Sequence, residues 1–565
     1  MKNKSSYSLK KSKKQIVSIA IILCILTLSF AGCGKKTEST ENNTSSTEDT
    51  GKEKITIALQ TNSFITDYDD NYFTKLLEEE MGVDIEIYQL PTDTTEMKTK
   101  MSLMISSGDD LPDVFCTYGI PQELILDYGS KGVFIPLNDY INNPDIAVNF
   151  NNIAEEDKDA ILKSTTSADG NIYSLAKYEP MTWNLTPYRM YINESWLNKL
   201  NLKVPTTTEE YYEVLKAFVN NDPNGNGIKD EIGVYGLASG GYGEDMTIAL
   251  MNSFVFYRGG GQLSLAEDGK TVIAPYATEG WKKGLEYMAK LYNDGLLSAS
   301  IFTDDTTQFK AVLNNESANI VGSVSAGSTG NWTDANTNPN FAEMELLSPL
   351  SGPDGIAYTS YTPYTPEPTW YITSSCKNPE LAVKLGDLFY KQNISMSARY
   401  GEEDVDWSMK EEVVSQYTTP YIEMGIFDKV TAVDLSNLWT QNTNKFWHNI
   451  GPRYVSNIFQ DGIATGTADY NPEIKTEQLK AKNYVAYLNA HPENVLSGHK
   501  YTREETEKIT EAATNIPNFI KQSLAEFVTG ARSLEDWDKY LEELNNMGLK
   551  EYIECTQAAY DRIEK

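Results

Sequence analysis

A run of oxygen-bearing side chains between positions 222 and 231 has the types and spacing of a calcium-binding loop. The segment Asp222–Glu231 places side-chain oxygens at loop positions 1, 3, 5 and 9 and a glycine at position 6, as the first part of an EF-hand does. Position 12, where an EF-hand carries a bidentate glutamate, is Gly233. Hard oxygen ligands suit Ca²⁺ better than a transition metal, and a metal-free turn is the alternative. The predicted ligands are Asp222, Asn224, Asn226, Asp230 and the backbone carbonyl of Ile228 at position 7.

A second possible chemistry is sugar recognition, because flat aromatic faces stack on pyranose rings while polar side chains bind the hydroxyls. The chain has nine tryptophans and 35 tyrosines. Trp439 and Trp447 lie in one short polar stretch and are candidates for stacking. Gln60 and Asn62 follow the first predicted strand and Tyr118 follows the third, at the strand ends where α/β sheets bind ligands. For each aromatic residue, packing in a core is the alternative interpretation.

The motifs that would indicate an enzyme are absent from the sequence or incomplete. None of the three histidines stands in an HExxH pattern, and there is no GxSxG elbow. Two Ser-x-x-Lys matches, 374–377 and 497–500, lack the accompanying SDN and KTG motifs. The acidic residues at 402–406 imitate a glycosidase carboxylate pair, but a solvated loop is the expected state in so acidic a chain. We therefore predict that the chain is not an enzyme.

The N-terminus predicts export and a lipid anchor. Six lysines precede an apolar run, Ile16–Phe30, that is shorter than the roughly 20 residues of a membrane span. Ala31 and Gly32 before Cys33 match a bacterial lipobox, with Phe30 in place of the usual leucine. We predict a signal peptide at 1–32, a lipid on Cys33 and a polar tether through residue 51, which holds the protein on the outer face of a Gram-positive membrane. A secreted protein with a chance cysteine is the alternative.

Charge and cysteine usage narrow the classes of partner. The formal net charge is −32, and loss of the signal-peptide lysines makes the protein more acidic still. Nucleic acid and anionic membrane surfaces are therefore excluded as partners, because phosphate binding needs clustered Lys and Arg. Cys116, Cys376 and Cys555 are too widely spaced to predict a disulfide framework or a zinc site.

Alternating strand and helix patterns predict α/β lobes as the scaffold that positions these residues. Ile55, Ile57 and Leu59 alternate with polar neighbours, a helix pattern begins at Tyr72, and alternation returns at Val83. This β-α-β unit predicts a parallel sheet with a right-handed crossover. Further on, Thr207 and Glu210 have the spacing of a capping box. Trp196, Trp281 and Trp537 lie on apolar helix stripes and are predicted to be core residues.

Six segments spread along the chain resemble the family 1 extracellular solute-binding proteins, in the lipoprotein branch related to alginate-binding proteins. They are 108–115, 194–218, 222–232, 280–297, 376–390 and 527–562. The resemblance implies a two-lobed α/β fold of the periplasmic-binding-protein type II class, with a ligand cleft between lobes joined by hinge crossovers. It places lobe one at 52–177 and 348–400, and lobe two with the C-terminal helices at 178–347 and 401–565.

The resemblance also implies a function. A monomeric binding protein of this kind captures a carbohydrate, such as an oligosaccharide, and passes it to the permease subunits of an ABC importer. The resemblance favours Trp332 as a sugar-stacking residue, places Trp183 and Arg189 near the first crossover, and suggests that Glu231 replaces the missing glutamate of the calcium loop. The alternatives are a non-transport sensor or adhesin of the same fold, and a surface glycosidase.

Overall fold

The computed structural model describes residues 51–108, 111–238, 242–315, 318–327, 342–436, 442–448, 450–465, 471–497 and 500–563. Residues Glu53–Lys565 cluster as one unit. Among the described residues we find no helix with the length and apolar content that a membrane span requires.

The strands are short apart from the first two. They are β1 (Glu53–Gln60), β2 (Val83–Leu90), β3 (Val114–Cys116), β4 (Leu175–Lys177), β5 (Arg189–Asn193), β6 (Ile232–Tyr235), β7 (Ser264–Leu265), β8 (Val272–Ile273), β9 (Val321–Ala326), β10 (Met344–Leu347), β11 (Glu367–Ile372), β12 (Trp407–Ser408), β13 (Ala432–Asp434) and β14 (Ile463–Thr465).

Helices connect and cover these strands. The α-helices are Tyr72–Met81, Thr94–Ser107, Gln122–Ser130, Asn138–Ile141, Glu155–Thr165, Thr182–Leu185, Glu194–Lys199, Thr208–Asn220, Met246–Met251, Glu279–Asn293, Thr306–Leu313, Pro379–Leu388, Gln392–Tyr400, Glu411–Val414, Pro420–Glu423, Asn457–Asp461, Asn471–Ala486, Arg503–Thr529, Trp537–Asn546 and Leu549–Ile563. Single turns of 3₁₀ helix are Phe150–Asn152, Pro275–Ala277, Ala299–Phe302 and Leu534–Asp536.

The first sheet has the strand order β2-β1-β3-β11-β4. β1 runs parallel to β2 and β3, as predicted for the β-α-β unit, while β11 is antiparallel to both β3 and β4. The carboxyl ends of β1 to β4 therefore meet the amino end of β11 at one edge. Loops that leave this edge can bring polar side chains together from distant parts of the sequence.

The second sheet has the order β10-β5-β9-β6. β5 is antiparallel to β9 and β10, and β6 is parallel to β9. The start of β5 at Arg189 thus lies at the same edge as the ends of the other three strands. The helices Arg503–Thr529 and Trp537–Asn546 bury Leu524 and Trp537 in the core of this second sheet.

The chain passes between the two sheets more than once. The first crossover, residues 178–188, joins β4 to β5, and the second crossover, residues 348–366, joins β10 to β11. A later stretch, residues 446–455, lies against the first crossover and is named the return segment. Tyr178 N donates to Arg453 O at 2.7 Å, and Val455 N donates to Tyr178 O at 2.8 Å.

The return segment packs in the core of the first sheet. Trp447 is fully buried, and its ring lies 5.4 Å from Phe73 and 5.9 Å from Phe389 between ring centres. The range 401–565 expected for the second lobe therefore needs a change, because Phe446, Trp447, Ile450 and Tyr454 contribute side chains to the first core. The other lobe limits stay predictions.

Local sequence signals correspond to the observed element ends. The helix Tyr72–Met81 ends at Gly82, whose φ of 67° favours glycine. Thr207 caps the helix Thr208–Asn220, because its hydroxyl accepts from Glu210 N at 3.1 Å. The predicted capping box is not completed, since the Glu210 carboxylate accepts from Thr206 N instead. The three tryptophans predicted to be core residues are buried. Two smaller sheets, β12-β13-β14 and β7-β8, accompany the two larger ones, and the mixed α/β architecture agrees with the predicted fold class.

Candidate functional site

A cavity of about 580 Å³ lies where the two crossovers leave the first sheet. Its walls come from the loop after β3, the first crossover, the second crossover and the helix Gln392–Tyr400. Its volume is in the range of small-molecule sites, about 300–1,000 Å³. We call it the crossover cavity, and it is lined by Gly119–Gln122, Ser164, Lys177, Glu179, Met181, Asn184, Tyr364–Pro368 and Arg399.

Gln60 holds the loops at this edge of the sheet in register. Its side chain is fully buried; Nε2 donates to Thr92 O at 3.1 Å, and Oε1 accepts from Tyr118 N at 3.3 Å. The amide thus ties the end of β1 to the loops after β2 and β3. The structure brings Gln60 and Tyr118 together, as their places after parallel strands predict, but Gln60 serves as a buried support for the cavity wall.

A buried carboxylate forms the charged floor of the crossover cavity. Arg453 donates to Glu179 through two nitrogens, at 3.0 and 3.2 Å, and Arg399 Nη1 lies 3.3 Å from the same carboxylate. Burial opposes ionisation of Glu179, but the positive charges of Arg399, Arg453 and Lys177 outweigh it and lower the pKa below the usual value. The carboxylate is therefore charged at neutral pH and joins the first crossover to the return segment.

Tyrosines fix the backbone of both crossovers around this ion cluster. The Tyr364 hydroxyl accepts from Glu179 N at 2.8 Å and donates to Lys177 O at 3.2 Å. The Tyr178 and Tyr454 hydroxyls each donate to the carboxylate of Asp157 at 2.6 Å. The first crossover, the second crossover and the return segment are thus held together by side chains as well as by backbone hydrogen bonds.

Asn62, which follows the carboxyl end of β1, lies beside His448. Asn62 Nδ2 and His448 Nδ1 are 3.3 Å apart, and Phe64 stacks on the imidazole with 5.6 Å between ring centres. Burial, reinforced by the positive charges of Arg399 and Arg453, lowers the pKa of His448 to about 4. The imidazole is neutral at physiological pH, so it adds no positive charge to the site.

Trp183 and Arg189 are in direct contact, next to the cavity residues Met181 and Asn184. The Arg189 guanidinium carbon lies 3.2 Å from the centre of the Trp183 ring, a cation–π arrangement. Arg189 is fully buried, and it donates to Asn483 Oδ1 at 3.0 Å and to the backbone oxygen of Gly327. Arg189 therefore supports one face of the partly exposed Trp183 ring instead of reaching solvent.

The remaining aromatic candidates have different outcomes. Trp447 was predicted as a stacking residue, but it is a core residue of the first sheet, and its Nε1 donates to Thr74 Oγ1 at 2.9 Å. A fully enclosed ring has no face to offer a ligand, so we remove Trp447 from the candidate site. Trp332 and Trp439 lie outside the described residues.

Several residues of the crossover cavity were missed by sequence reasoning. They are Lys177, Glu179, Tyr364, Glu367 and Arg399. No local motif marks them, because their proximity depends on how distant segments meet. The one usable signal was position, since the first two lie at the predicted boundary between the lobes.

The loop at 222–231 folds as a compact turn around two carboxylates. Asp222 accepts from Gly225 N at 3.0 Å and from Gly227 N at 3.1 Å. Asp230 accepts from the side-chain amides of Asn224 and Asn226 at 3.1–3.2 Å. Counting only His, Cys, Asp and Glu, no group of three within the described residues converges closely enough to hold a metal ion.

Glu231 is the feature of this loop that a simple turn does not explain. Its carboxylate is buried, and neither oxygen has a hydrogen-bond partner among the described residues. Burial raises its pKa, and the charges of Asp222 and Asp230 raise it further. Gly233 explains the missing glutamate at position 12, because an added Cβ there would lie 2.7 Å from Leu296 O. The donor set therefore fits a hard cation that Glu231 would help to bind.

The acidic residues at 402–406 do not form a catalytic pair. Asp406 is buried and paired with Lys445, whose Nζ lies 2.7 and 2.8 Å from the two carboxylate oxygens. Asp404 pairs with Lys410 at 2.7 Å. These two carboxylates are thus each held by a lysine in a structural role.

A second cavity, of about 320 Å³, lies between the Tyr257–Gly260 loop and the helix Arg503–Thr529. Asp245 and Lys521 are its charged lining residues. It belongs to the second core, and Tyr188 at the end of the first crossover forms part of its lining.

Comparison with known proteins identifies the class of this architecture. The family described as "Bacterial extracellular solute-binding protein" matches residues 71–391. A curated relative is the fructooligosaccharide ABC transporter substrate-binding protein FusA of Streptococcus pneumoniae serotype 4, which is 26% identical over 564 residues, 96% of this chain and 98% of FusA. The structure of FusA in complex with kestose superposes with a TM-score of 0.68 at 24% identity, covering 91% of this chain and 99% of FusA. A FusA EF-hand mutant with fructo-nystose gives the same values.

Two curated proteins of Bacillus subtilis strain 168 match shorter stretches. The polygalacturonan/rhamnogalacturonan-binding protein YtcQ is 24% identical over 286 residues, 50% of this chain and 52% of YtcQ. The lipoprotein LipO is 25% identical over 342 residues, 59% of this chain and 62% of LipO. The superposition on the FusA structures confirms the periplasmic-binding-protein type of α/β fold that was expected from the sequence.

Replacing Glu179 by alanine tests the buried ion cluster. The variant leaves Arg453 buried without its carboxylate, so the free energy of unfolding should fall by about 3–5 kcal/mol. Urea unfolding followed by tryptophan fluorescence measures the change. The matched control is Glu380→Ala, which removes an equal charge from the exposed Glu380–Lys384 pair and should cost less than about 1 kcal/mol. Equal losses in the two variants would contradict this account of the cluster.

Proposed function

The chain belongs to the bacterial extracellular solute-binding protein family, and we propose that it captures a carbohydrate in the crossover cavity for an ABC importer. As a member of this family it is a substrate-binding protein and not an enzyme. The observation that carries the proposal is the position of the cavity, since both crossovers and the loop after β3 line it. A ligand held there contacts the segments about which the two sheets can move.

The chemistry of the cavity wall suits sugar hydroxyls. Each hydroxyl both donates and accepts a hydrogen bond, and the wall offers carboxylate acceptors at Glu179 and Glu367 beside cationic donors at Lys177 and Arg399. The Tyr364 ring adds an aromatic surface, and the Trp183 ring lies beside the cavity. The relatives support the same class of ligand, because FusA and YtcQ are named for binding carbohydrates.

We further propose that the ligand closes two lobes. In this proposal 52–177 and 348–400 form one lobe with the return segment, while 178–347 and the remaining C-terminal residues form the other. A ligand that contacts both lobes favours the closed state by its greater affinity for that state. The closed, loaded protein is then the form that the permease subunits receive.

Calcium is proposed as a structural ion of the 222–231 loop. Asp222, Asn224, Asn226, Asp230, Glu231 and the carbonyl of Ile228 would hold it. The unpartnered carboxylate of Glu231 supports this assignment, and so does the existence of an EF-hand mutant of FusA. When bound, the ion supplies a fixed positive charge, and the loop's own carboxylates then clamp the end of the helix Thr208–Asn220 to the start of β6.

The lipid anchor is proposed from the sequence, with support from the relative named lipoprotein LipO. Residues 1–32 would be removed as a signal peptide, Cys33 would carry the lipid, and residues 34–51 would act as the tether. The protein would then work as a monomer on the extracellular face of a Gram-positive cell membrane, next to its permease.

Trp183→Ala tests whether the cavity region binds the ligand. A glycan panel is screened by thermal shift, because a ligand that binds only the folded state raises the melting temperature. For the best glycan, Trp183→Ala should weaken binding by about 1–3 kcal/mol in calorimetry, the loss expected for an aromatic contact. Trp281→Ala is the control, since this core residue should reduce stability by about 3–5 kcal/mol without a direct effect on affinity. Normal affinity in Trp183→Ala would contradict the proposed site.

Chelation tests the metal proposal. A calcium chelator should lower the melting temperature of the chain, and added Ca²⁺ should restore it, because the ion binds only the folded loop. Glu231→Gln and Asp222→Ala should each abolish that difference. Asp268→Ala is the control, since Asp268 stabilises an ordinary turn through Lys270 N and Thr271 N and should keep the calcium response. Identical melting curves with and without chelator would leave a metal-free turn.

Cys33→Ala tests the anchor. The variant should appear in the medium, because the thiol is the attachment point of the lipid. Cys376→Ala should remain with the membrane fraction. Sedimentation of Cys33→Ala with membranes in high salt would show that the lipid assignment is wrong.

A further inference from the structure

We infer that the ligand of the crossover cavity is an uncharged oligosaccharide and that the paired charges of its wall discriminate against uronic-acid polymers. This inference rests on the proposed function, since it names the class of carbohydrate.

The cations that line the crossover cavity already have carboxylate partners. Lys177 Nζ lies 2.8 Å from Glu367, and both side chains are more than half buried. Arg399 pairs with Glu179, which also receives two hydrogen bonds from the fully buried Arg453. Although burial lowers the pKa of Arg399, the negative charge of Glu179 raises it, and Tyr400 and Asp434 raise it further, so that the pKa lies above its usual value. The negative groups around Arg399 therefore stabilise the positive charge of its guanidinium.

A uronate would need a cation with free hydrogen-bond donors, and the described residues of the cavity wall do not offer one. Tight binding of a carboxylate requires a cation whose donors are free, most effectively the fork of an arginine. In the crossover cavity a sugar carboxylate would approach two fixed carboxylates, Glu179 and Glu367, and would lose its hydration without a cation of its own. A neutral hydroxyl has no such penalty, because it can donate to a carboxylate and accept from a lysine or an arginine.

The other guanidinium near the cavity is enclosed and offers no accessible donor to a ligand. Arg189 is fully buried, one face of it lies against the Trp183 ring, and its donors reach Asn483 and Gly327. His448 is neutral because its pKa is about 4. Among the described residues, the cations on or near the wall of the cavity are thus either paired with a carboxylate or enclosed.

The stretches between 109 and 499 that the structure does not describe contain no lysine or arginine. Three of them carry aspartates, at 109–110, 334 and 469, and a fourth carries Glu316. The whole chain has a net charge of −32, which also repels a polyanion during diffusional approach. The inferred ligand thus differs in charge from the polygalacturonan for which the relative YtcQ is named, a polymer of an acidic sugar.

Calorimetry on the full-length chain with matched probes tests the inference. The neutral probes are kestose and the linear tetrasaccharides of galactose, glucose and mannose; the acidic probes are tetragalacturonate and tetramannuronate. Galactotetraose and tetragalacturonate share ring configuration and differ at C6. We expect a neutral probe to bind at least about 100-fold more tightly than either acid. Its affinity should change less than about twofold between roughly 20 and 300 mM NaCl, because no charged pair forms with the ligand.

The outcomes separate this inference from the proposed function. Tighter binding of an acidic probe would overturn the inference and leave carbohydrate capture intact. Binding of none of the probes would overturn carbohydrate capture, and the inference with it.

A charge variant tests the cause of the discrimination. Glu367→Gln leaves Lys177 in the cavity wall without its carboxylate, so it should raise the affinity for tetragalacturonate, relative to the best neutral probe, by about tenfold or more. Glu380→Gln is the control, because Glu380 pairs with Lys384 on an exposed helix and should leave that ratio unchanged. Circular dichroism verifies that both variants are folded. An unchanged ratio in folded Glu367→Gln would overturn the assignment of selectivity to the paired charges.

Discussion

The carboxylate of Glu179 is the contact on which the rest of the site depends. Glu179 lies in the first crossover, and its carboxylate is held by Arg453 of the return segment and by Arg399 of a helix that follows the second crossover. The backbone amide of the same residue donates to the Tyr364 hydroxyl. Distant parts of the chain therefore meet at one buried charge. Removing a charged group from water costs several kcal/mol unless it is fully paired, so this cluster is stable only when all these segments are in place. The crossover cavity opens directly above it.

The same cluster fixes the segments that connect the two larger sheets and line the crossover cavity. The backbone of the first crossover is fixed by Tyr178 pairing with the return segment, and its side chains converge on Asp157 and Glu179. In the proposed closure of the two lobes, these contacts are the fixed points about which one sheet would move against the other. The 222–231 loop leads into β6 and is separate from both crossovers in the sequence. The proposed calcium ion would give the buried carboxylate of Glu231 a partner.

Sequence patterns predicted the elements well and the site only partly. Periodicity and caps identified the helix that ends at Gly82 and the core tryptophans, because these features depend on neighbours in sequence. The pairing of Gln60 with Tyr118 was also predictable, since both follow parallel strands of one sheet. Trp447 was misassigned because a polar stretch around it looks like a loop, whereas tertiary packing against Phe73 buries the ring. Glu179 and Arg453 are 274 residues apart, and no local pattern predicts such a contact.

Hydrogen exchange with the best-binding glycan tests the central claim, that the ligand lies in the crossover cavity. The account predicts that backbone amides of residues 119–122, 177–184 and 364–368 gain protection when the glycan binds, because the ligand excludes water from the walls that they form. Residues 257–260 and 517–524, which line the cavity of the second core, should exchange as they do in the free protein. Protection confined to this second set would contradict the account and move the binding site to the other cavity.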